Sequence, residues 1–256
     1  MKITDAKVLV TGGASGMGRT FVLKLAEAGA NVAFCDLNAD AVAATEAAGQ
    51  GLAGTVKGFV ANVAVEADIT ALIPAAAAAI GGLNAIVNNA GIIRDGLLIK
   101  PNKETGAIEK LSLSKWQQVI DVNLTGVFLG AREFAAWHAN NNKGQEGCII
   151  SISSISRHGN MGQSNYSAAK SAIVSMTKLW AGELARYGIR TGAVAPGFTR
   201  TPILDGMPAE MLEKMKQPIP LKRIGEPDEM FLTVKFILEN GFFTGRVIDV
   251  DGGQVL

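Results

Sequence analysis

The sequence predicts an α/β protein: one domain over residues 1–256, built on a doubly wound parallel sheet of about seven strands with helices on both faces. Three observations carry this expectation. Short runs rich in β-branched and apolar residues alternate with helical stretches along the whole chain. Those runs are almost continuously apolar, as strands covered on both sides must be. The chain has 256 residues, 48% of them apolar, which suits one large core.

KVLVTGG (7–13) reads as a strand running into a turn, and the apolar spacing over 18–30 as a helix closed at a glycine. NVAFCDL (31–37) is a second strand; a helix at 39–49, a third strand at 54–63 and a helix at 66–82 follow, with Pro74 as a candidate kink. LNAIVNNAG (83–91) is the fourth strand. The polar stretch 94–112, with Pro101 and Gly106, reads as an exposed loop or a small hairpin. One long helix is expected over 112–141, with Ser114 as its N-cap. GCIISISS (147–154) is the fifth strand, 163–188 a long helix closed by Gly188, and IRTGAVAPG (189–197) the sixth strand. Residues 196–223 carry five prolines between strand and helix, and a long segment of that kind inside a compact domain predicts a mobile flap over a substrate pocket. A helix near 226–239 and the strand RVIDV complete the pattern.

Bulk composition excludes several classes of function. The formal charge is +1, from 24 basic and 23 acidic residues, with no run of one sign, so neither nucleic acid nor an anionic membrane surface is an expected partner. No apolar stretch reaches about 18 residues, and the start has too short an apolar run for a secretory signal. Cys35 and Cys148 are the only cysteines and sit in apolar strands, which fits buried thiols in a reducing compartment, the cytoplasm. With two histidines, His138 and His158, no metal site is expected.

The first strand ends in TGGASGMG, which contains Gly12, Ser15, Gly16, Met17 and Gly18. Glycines there let backbone amides approach a pyrophosphate, and the following helix aims its N-terminal N–H groups and dipole at that charge. The spacing differs from G-x-G-x-x-G, but the turn stands between a strand and a helix, the context such a site needs. Asp36 ends the second strand about 20 residues on. A carboxylate there accepts hydrogen bonds from both hydroxyls of an adenosine ribose and repels a 2′-phosphate; Leu37 follows it, with no Arg or Lys beside it. The expected cofactor is therefore NAD (NADH/NAD+). An ordinary strand-end acid is the other reading of Asp36.

In NYSAAK, Tyr166 stands four residues before Lys170 at the start of a helix. Residues i and i+4 share a helix face, so the pair is either a solvated face or a phenol made acidic by a neighbouring ammonium. Asn123 is a poor mid-helix residue, because its side chain competes for backbone hydrogen bonds.

Taken in order, Thr11–Gly18, Asn62–Val63, Asn88-Asn89-Ala90-Gly91, Asn123, the serines ending strand five, Tyr166-x-x-x-Lys170 and Pro196-Gly197 resemble the short-chain dehydrogenase/reductase family over nearly the whole chain. The resemblance implies a Rossmann-like fold with the cofactor at the carboxyl ends of the strands. It implies that Asn62, where the family more often has Asp, and Val63 flank the adenine. Asn89, with Ala90 and Gly91, would face the nicotinamide ribose, and Lys170 would bind that ribose's hydroxyls. Thr199 and Thr201, after Pro196 and Gly197, would meet the nicotinamide amide and the phosphates. Tyr166 would be the general acid/base, Lys170 would lower its pKa, and Asn123 would anchor a water relaying protons to Lys170.

The substrate-binding serine is Ser153 when counted back from the tyrosine and Ser154 when counted along the strand; Ser154 is chosen, because a strand fixes side-chain direction while a loop absorbs a deletion. The implied function is an NAD(H)-dependent oxidoreductase interconverting a secondary alcohol and a ketone. A 3-oxoacyl thioester or simple carbonyl compound is the first expectation, a polyol or sugar the second, and a non-catalytic cofactor-binding regulator the rival from another class. A homotetramer is implied by the family's last strand.

Overall fold

The computed structural model describes every residue except 202–203, 205–207 and 255–256. Part of the expected flap therefore lies outside the described residues. Seven parallel strands form the sheet: β1 (Lys7–Thr11), β2 (Asn31–Asp36), β3 (Val56–Val60), β4 (Ala85–Asn88), β7 (Gly147–Ile152), β8 (Ile189–Pro196) and β9 (Arg246–Val250), in the order β3-β2-β1-β4-β7-β8-β9. The order reverses between β1 and β4, and that reversal opens a crevice outside their carboxyl ends.

Helices α1 (Gly16–Glu27), α2 (Ala39–Ala48) and α8 (Pro227–Glu239) lie on one face of the sheet, where Phe21, Leu25, Val42 and Val234 pack against Val8, Val10 and Phe34. Helices α3 (Glu66–Ile80) and α5 (Gly126–Asn141) cover the other, where Ile69, Ile73 and Phe134 pack on Leu9, Ile86 and Ile149. Trp137 and Trp180 border this second core. Burying both faces explains why the central strands read as unbroken apolar runs. Pro74 lies on the exposed side of α3 and leaves it continuous.

The stretch 94–112 contains a small hairpin, one of its two expected forms: β5 (Ile99–Pro101) against β6 (Ile108–Lys110), antiparallel and exposed throughout. Other expectations change. The single helix over 112–141 is instead α4 (Leu113–Ile120), a π-helical turn (Asp121–Thr125) and α5. Its N-cap is Ser112, whose hydroxyl accepts from the Lys115 amide at 3.3 Å; Ser114 lies inside the first turn and its hydroxyl accepts from Gln118. The fifth strand stops at Ile152, so Ser153 and Ser154 lie just past it. The proline-rich segment also carries a helix of its own, α7 (Ala209–Lys216).

Candidate active site

The glycine turn is held by backbone proximity. Gly12 and Gly16 have φ of 62° and 49°, where L-side chains are strained. A Cβ on Gly18 would lie 2.0 Å from the Gly12 carbonyl oxygen, so only glycine lets α1 start this close beneath the turn. Ser15 caps α1 in an extended conformation without a side-chain bond, and with Met17 it flanks the helix N-terminus, whose first amides have no partner within the helix. A dinucleotide pyrophosphate fits that cradle.

Asp36 closes β2 beside the turn. Its Oδ2 accepts from the Ala14 amide at 3.1 Å and its Oδ1 from the Leu37 amide at 2.8 Å, so the carboxylate is oriented by backbone. Leu37 is exposed. Past β3, Asn62 Oδ1 accepts from the Ala64 amide at 3.0 Å and its own amide donates to Asp68. Val63 is buried against α5 at Gly126. Past β4, Asn89 Nδ2 donates to the carbonyls of Thr11 and Gly12 at 3.0 and 3.1 Å, while the amides of Asn89 and Ala90 donate to Thr11 Oγ1. Asn89 thus ties the glycine turn to the end of β4.

Gly91 lies beside the π turn, where a Cβ on it would stand 3.6 Å from Asn123 Oδ1. Asn123 is fully buried and clasps Ile92 twice: its Oδ1 accepts from the Ile92 amide at 2.8 Å and its Nδ2 donates to the Ile92 carbonyl at 2.9 Å. The two bonds satisfy a side chain that would otherwise weaken a helix, and the wide turn carries it towards the crevice.

Tyr166 and Lys170 rise from the first turns of α6 (Ser164–Glu183). Lys170 Nζ lies 5.4 Å from the centre of the Tyr166 ring and donates to the Ile152 carbonyl, at the end of β7, at 2.7 Å. Of the two serines, Ser154 stands against the phenol: its hydrogen bond pulls the Tyr166 pKa down, and its Oγ accepts from the Ser156 amide at 3.1 Å. Ser153 points the other way, donating to the Lys170 carbonyl at 2.8 Å. The chain leaves β7 with its alternation intact, which puts the two hydroxyls on opposite sides.

The electrostatics depart from the expectation that the lysine makes the phenol acidic. Burial pushes the Tyr166 pKa above its usual 10.0, Ser154 lowers it, Asp95 raises it, and Lys170 is not among the causes. Burial also depresses Lys170 to about 8. In a dry site the charged form of each group loses hydration, and the amine spends its hydrogen bond on Ile152.

Beyond β8, Pro196 ends the strand and the Gly197 amide donates to Val250. Thr199 is buried and its hydroxyl donates to the Gly197 carbonyl at 3.1 Å. Thr201 is half-buried, its methyl 3.8 Å from where a Cβ on Gly16 would stand, so this segment returns to the glycine turn. His158 is exposed. Cys35 and Cys148 are buried, with pKa values pushed up to about 12 and about 11, which keeps them protonated and inert. Among the described residues no His, Cys, Asp and Glu cluster could hold a metal, and no helix is long and apolar enough to cross a membrane.

Sequence reasoning gave no role to the lacing that precedes Tyr166. Gln163 Nε2 donates to Asp95 Oδ2 at 3.0 Å, the Gly96 amide to the Gly162 carbonyl at 2.8 Å, and Asn165 Nδ2 to the carbonyls of Arg94 and Lys115, each at 3.1 Å. Gln163 and Asn165 are buried; two amide side chains at a helix start, next to a tyrosine, were the available signal.

Residues 12–254 match a family model described as enoyl-(acyl carrier protein) reductase. The chain is 36% identical to a 3-oxoacyl-[acyl-carrier-protein] reductase of Thermotoga maritima, covering all of both chains. It is also 36% identical to a (3R)-3-hydroxyacyl-CoA dehydrogenase of Canis lupus familiaris, covering 99% of this chain and 97% of the relative. A crystal structure of a short-chain type dehydrogenase/reductase from Mycobacterium marinum superposes with a TM-score of 0.87 at 29% identity, covering 98% of this chain and 96% of the other. A seven-stranded parallel sheet, a glycine turn at its switch point and relatives of matching length leave one assignment: this chain belongs to the short-chain dehydrogenase/reductase family and is an oxidoreductase.

Proposed function

We propose that the protein interconverts a 3-oxoacyl thioester, or a ketone of similar shape, and the corresponding secondary alcohol by hydride transfer with NAD(H). The observation that carries this reading is Tyr166 with the Ser154 hydroxyl at its phenol and the Lys170 amine across its ring, in the crevice that the glycine turn also borders. The names of the two relatives above support the substrate class.

The nicotinamide, when bound, supplies or accepts the hydride and in its oxidised form brings a positive charge. Ser154 donates to the substrate oxygen and holds it at the phenol. Tyr166 gives its proton to that oxygen in reduction and takes one from the alcohol in oxidation. A general acid/base working near neutrality needs a pKa about 3 units below that of free tyrosine, about 4 kcal/mol of differential stabilisation. Burial opposes this, so the Lys170 amine must turn from Ile152 towards the ribose hydroxyls and the phenol to supply part of it. Asn123, holding Ile92, keeps the π turn open beside Lys170 for the proposed water relay. Asp36, already oriented by two amides, accepts from the adenosine ribose and repels a 2′-phosphate, which favours NAD. Asn62, Val63, Asn89, Thr199 and Thr201 line the cofactor's path.

The test is activity with both cofactors across 3-oxoacyl thioesters, simple ketones and polyols. The reading expects thioester reduction with NADH, lost in Tyr166→Phe. Turnover of polyols alone, or a wild-type preference for NADPH, would overturn the substrate or the cofactor assignment respectively.

A further inference from the structure

Alternate residues of the strap that follows Gly91 are each bonded to the wall that carries the catalytic side chains. Ile92 is clasped by Asn123 from the π turn. The Arg94 carbonyl accepts from Asn165 Nδ2 at 3.1 Å. The Gly96 amide donates to the Gly162 carbonyl at 2.8 Å. A period of two is that of an extended chain presenting one edge, and Asn165 makes the middle bond of that edge.

Asn165 is fully buried in the first turn of α6, a helix whose N-cap, Gln163, makes no side-chain capping bond. Its Nδ2 also donates to the Lys115 carbonyl, in the first turn of α4, at 3.1 Å, and its Oδ1 accepts from the Tyr166 amide at 2.8 Å. That amide is one of the N–H groups that a helix start leaves without an intrahelical partner. One carboxamide therefore joins three separate pieces of backbone, with both of its donors and its acceptor in use. An ionised Asp in its place has no donor, Ser has one, and Ala has neither donor nor acceptor. The phenol and the cofactor cradle also belong to different parts of the chain. Tyr166 rides on α6, whereas the glycine turn is tied to the end of β4 by Asn89. The reach of the phenol into the crevice thus depends on how the first turn of α6 is fixed.

We infer that Asn165 is a positioning residue for the proton transfer: it sets Tyr166 by fastening the Tyr166 amide to the strap and to α4. The inference rests on the reading of Tyr166 as the proton donor. All of the hydrogen bonds of the carboxamide go to backbone, so it acts through its neighbour.

The experiment is a double-mutant cycle on acetoacetyl-CoA reduction, with whichever of NADH and NADPH the wild type uses. It compares the wild type, Asn165→Ala, Tyr166→Phe and the double variant, with cofactor Kd measured by titration. Asn165→Ala lets Tyr166 shift by about an ångström, and such a displacement lowers kcat by about a hundred-fold. KM and cofactor Kd stay within about two-fold of wild type, because ground-state binding is untouched. In the Tyr166→Phe background the same substitution lowers kcat by less than about two-fold, since the group it would position is gone. If the alanine variant binds no cofactor, Asn165→Ser, with one donor and one acceptor left, takes its place in the cycle. A loss of equal size in both backgrounds, a wild-type kcat in Asn165→Ala, or loss of cofactor binding in both Asn165 variants overturns the inference and leaves the reductase reading in place. Wild-type turnover in Tyr166→Phe, or none in the wild type itself, overturns the functional reading and the inference with it.

Discussion

The crevice has two walls built on different principles. The wall formed by the ends of β1, β2 and β3 is made of backbone: the glycine turn under Asn89, the close approach at Gly18 and the amide-bound carboxylate of Asp36. The wall formed by 92–112, the π turn at 121–125, 153–166 and 196–201 is made of side chains, among them Asn123, Ser154, Gln163 and Tyr166. Backbone approach tolerates almost no substitution, because an added atom meets a carbonyl that cannot move. Side-chain walls tolerate substitution structurally and lose chemistry instead. The two walls should therefore fail in opposite ways.

The sharpest way to break this contrast is Tyr166→Phe. It should lower kcat by about a thousand-fold, within the range of general acid/base contributions, with Tm and cofactor affinity near wild type. Survival of turnover in that variant would remove the proton donor from the account. Gly18→Ala is the mirror experiment. A Cβ at 2.0 Å from the Gly12 oxygen must displace either the turn or α1, at a cost of about 3 kcal/mol or more, read as a lower Tm and weaker dinucleotide binding in titration calorimetry. A Gly18→Ala protein with wild-type stability would mean that the turn is softer than its geometry implies.

The serine pair divides the same way within a single dipeptide. Ser154→Ala should cost about a hundred-fold in kcat, as removal of one positioned donor does, and little stability. Ser153→Ala loses a buried hydrogen bond to the Lys170 carbonyl, worth about 1 kcal/mol of stability, with a small kinetic effect.

The buried amine gives a pH signature. The folded protein holds Lys170 near 8 against the ordinary 10.5 of a lysine, so between those values the unfolded chain binds the extra proton and stability rises with pH. Lys170→Met should abolish this rise, and the wild type should gain on the variant by up to about 3 kcal/mol across that window. Cys35 and Cys148 act in the opposite sense, since their raised pKa values subtract stability once the unfolded thiols ionise above 9.0. Urea melts from pH 7 to 10.5 separate the two trends. The smallest effect is expected in the hairpin, where replacing residues 99–110 with a short glycine-serine link should move Tm by only about a degree, because both strands are exposed throughout.

This contrast also sorts what could be read in advance. The parallel sheet, its strand count and the place of the glycine turn follow from apolar runs and glycine spacing, which are local patterns; the strand order is not among them. The helix across 121–125 was misread because a π turn leaves no compositional mark: Asn123 looks like a weak helix residue until Ile92, 31 residues earlier, arrives to clasp it. Ser112 and Ser114 are equally good N-caps on paper; in the structure the Ser112 hydroxyl takes the Lys115 amide while Ser114 takes the Gln118 side chain. Helical spacing gives the distance from Tyr166 to Lys170 and says nothing about how dry the site is, so the burial that raises the phenol's pKa leaves no mark in the sequence.

The five-residue turn at Asp121–Thr125 has a consequence for how such a site can be lost. It takes up one more residue than ordinary helical closure, so α5 is rotated relative to α4 by roughly a quarter-turn or more. Removing one residue from this stretch would restore a straight rod with better internal closure, while swinging Asn123 away from Ile92 and turning the Phe134 side of α5 off its seat on the sheet. An inactive relative could thus arise from a single codon deletion, with the tyrosine and lysine still in place.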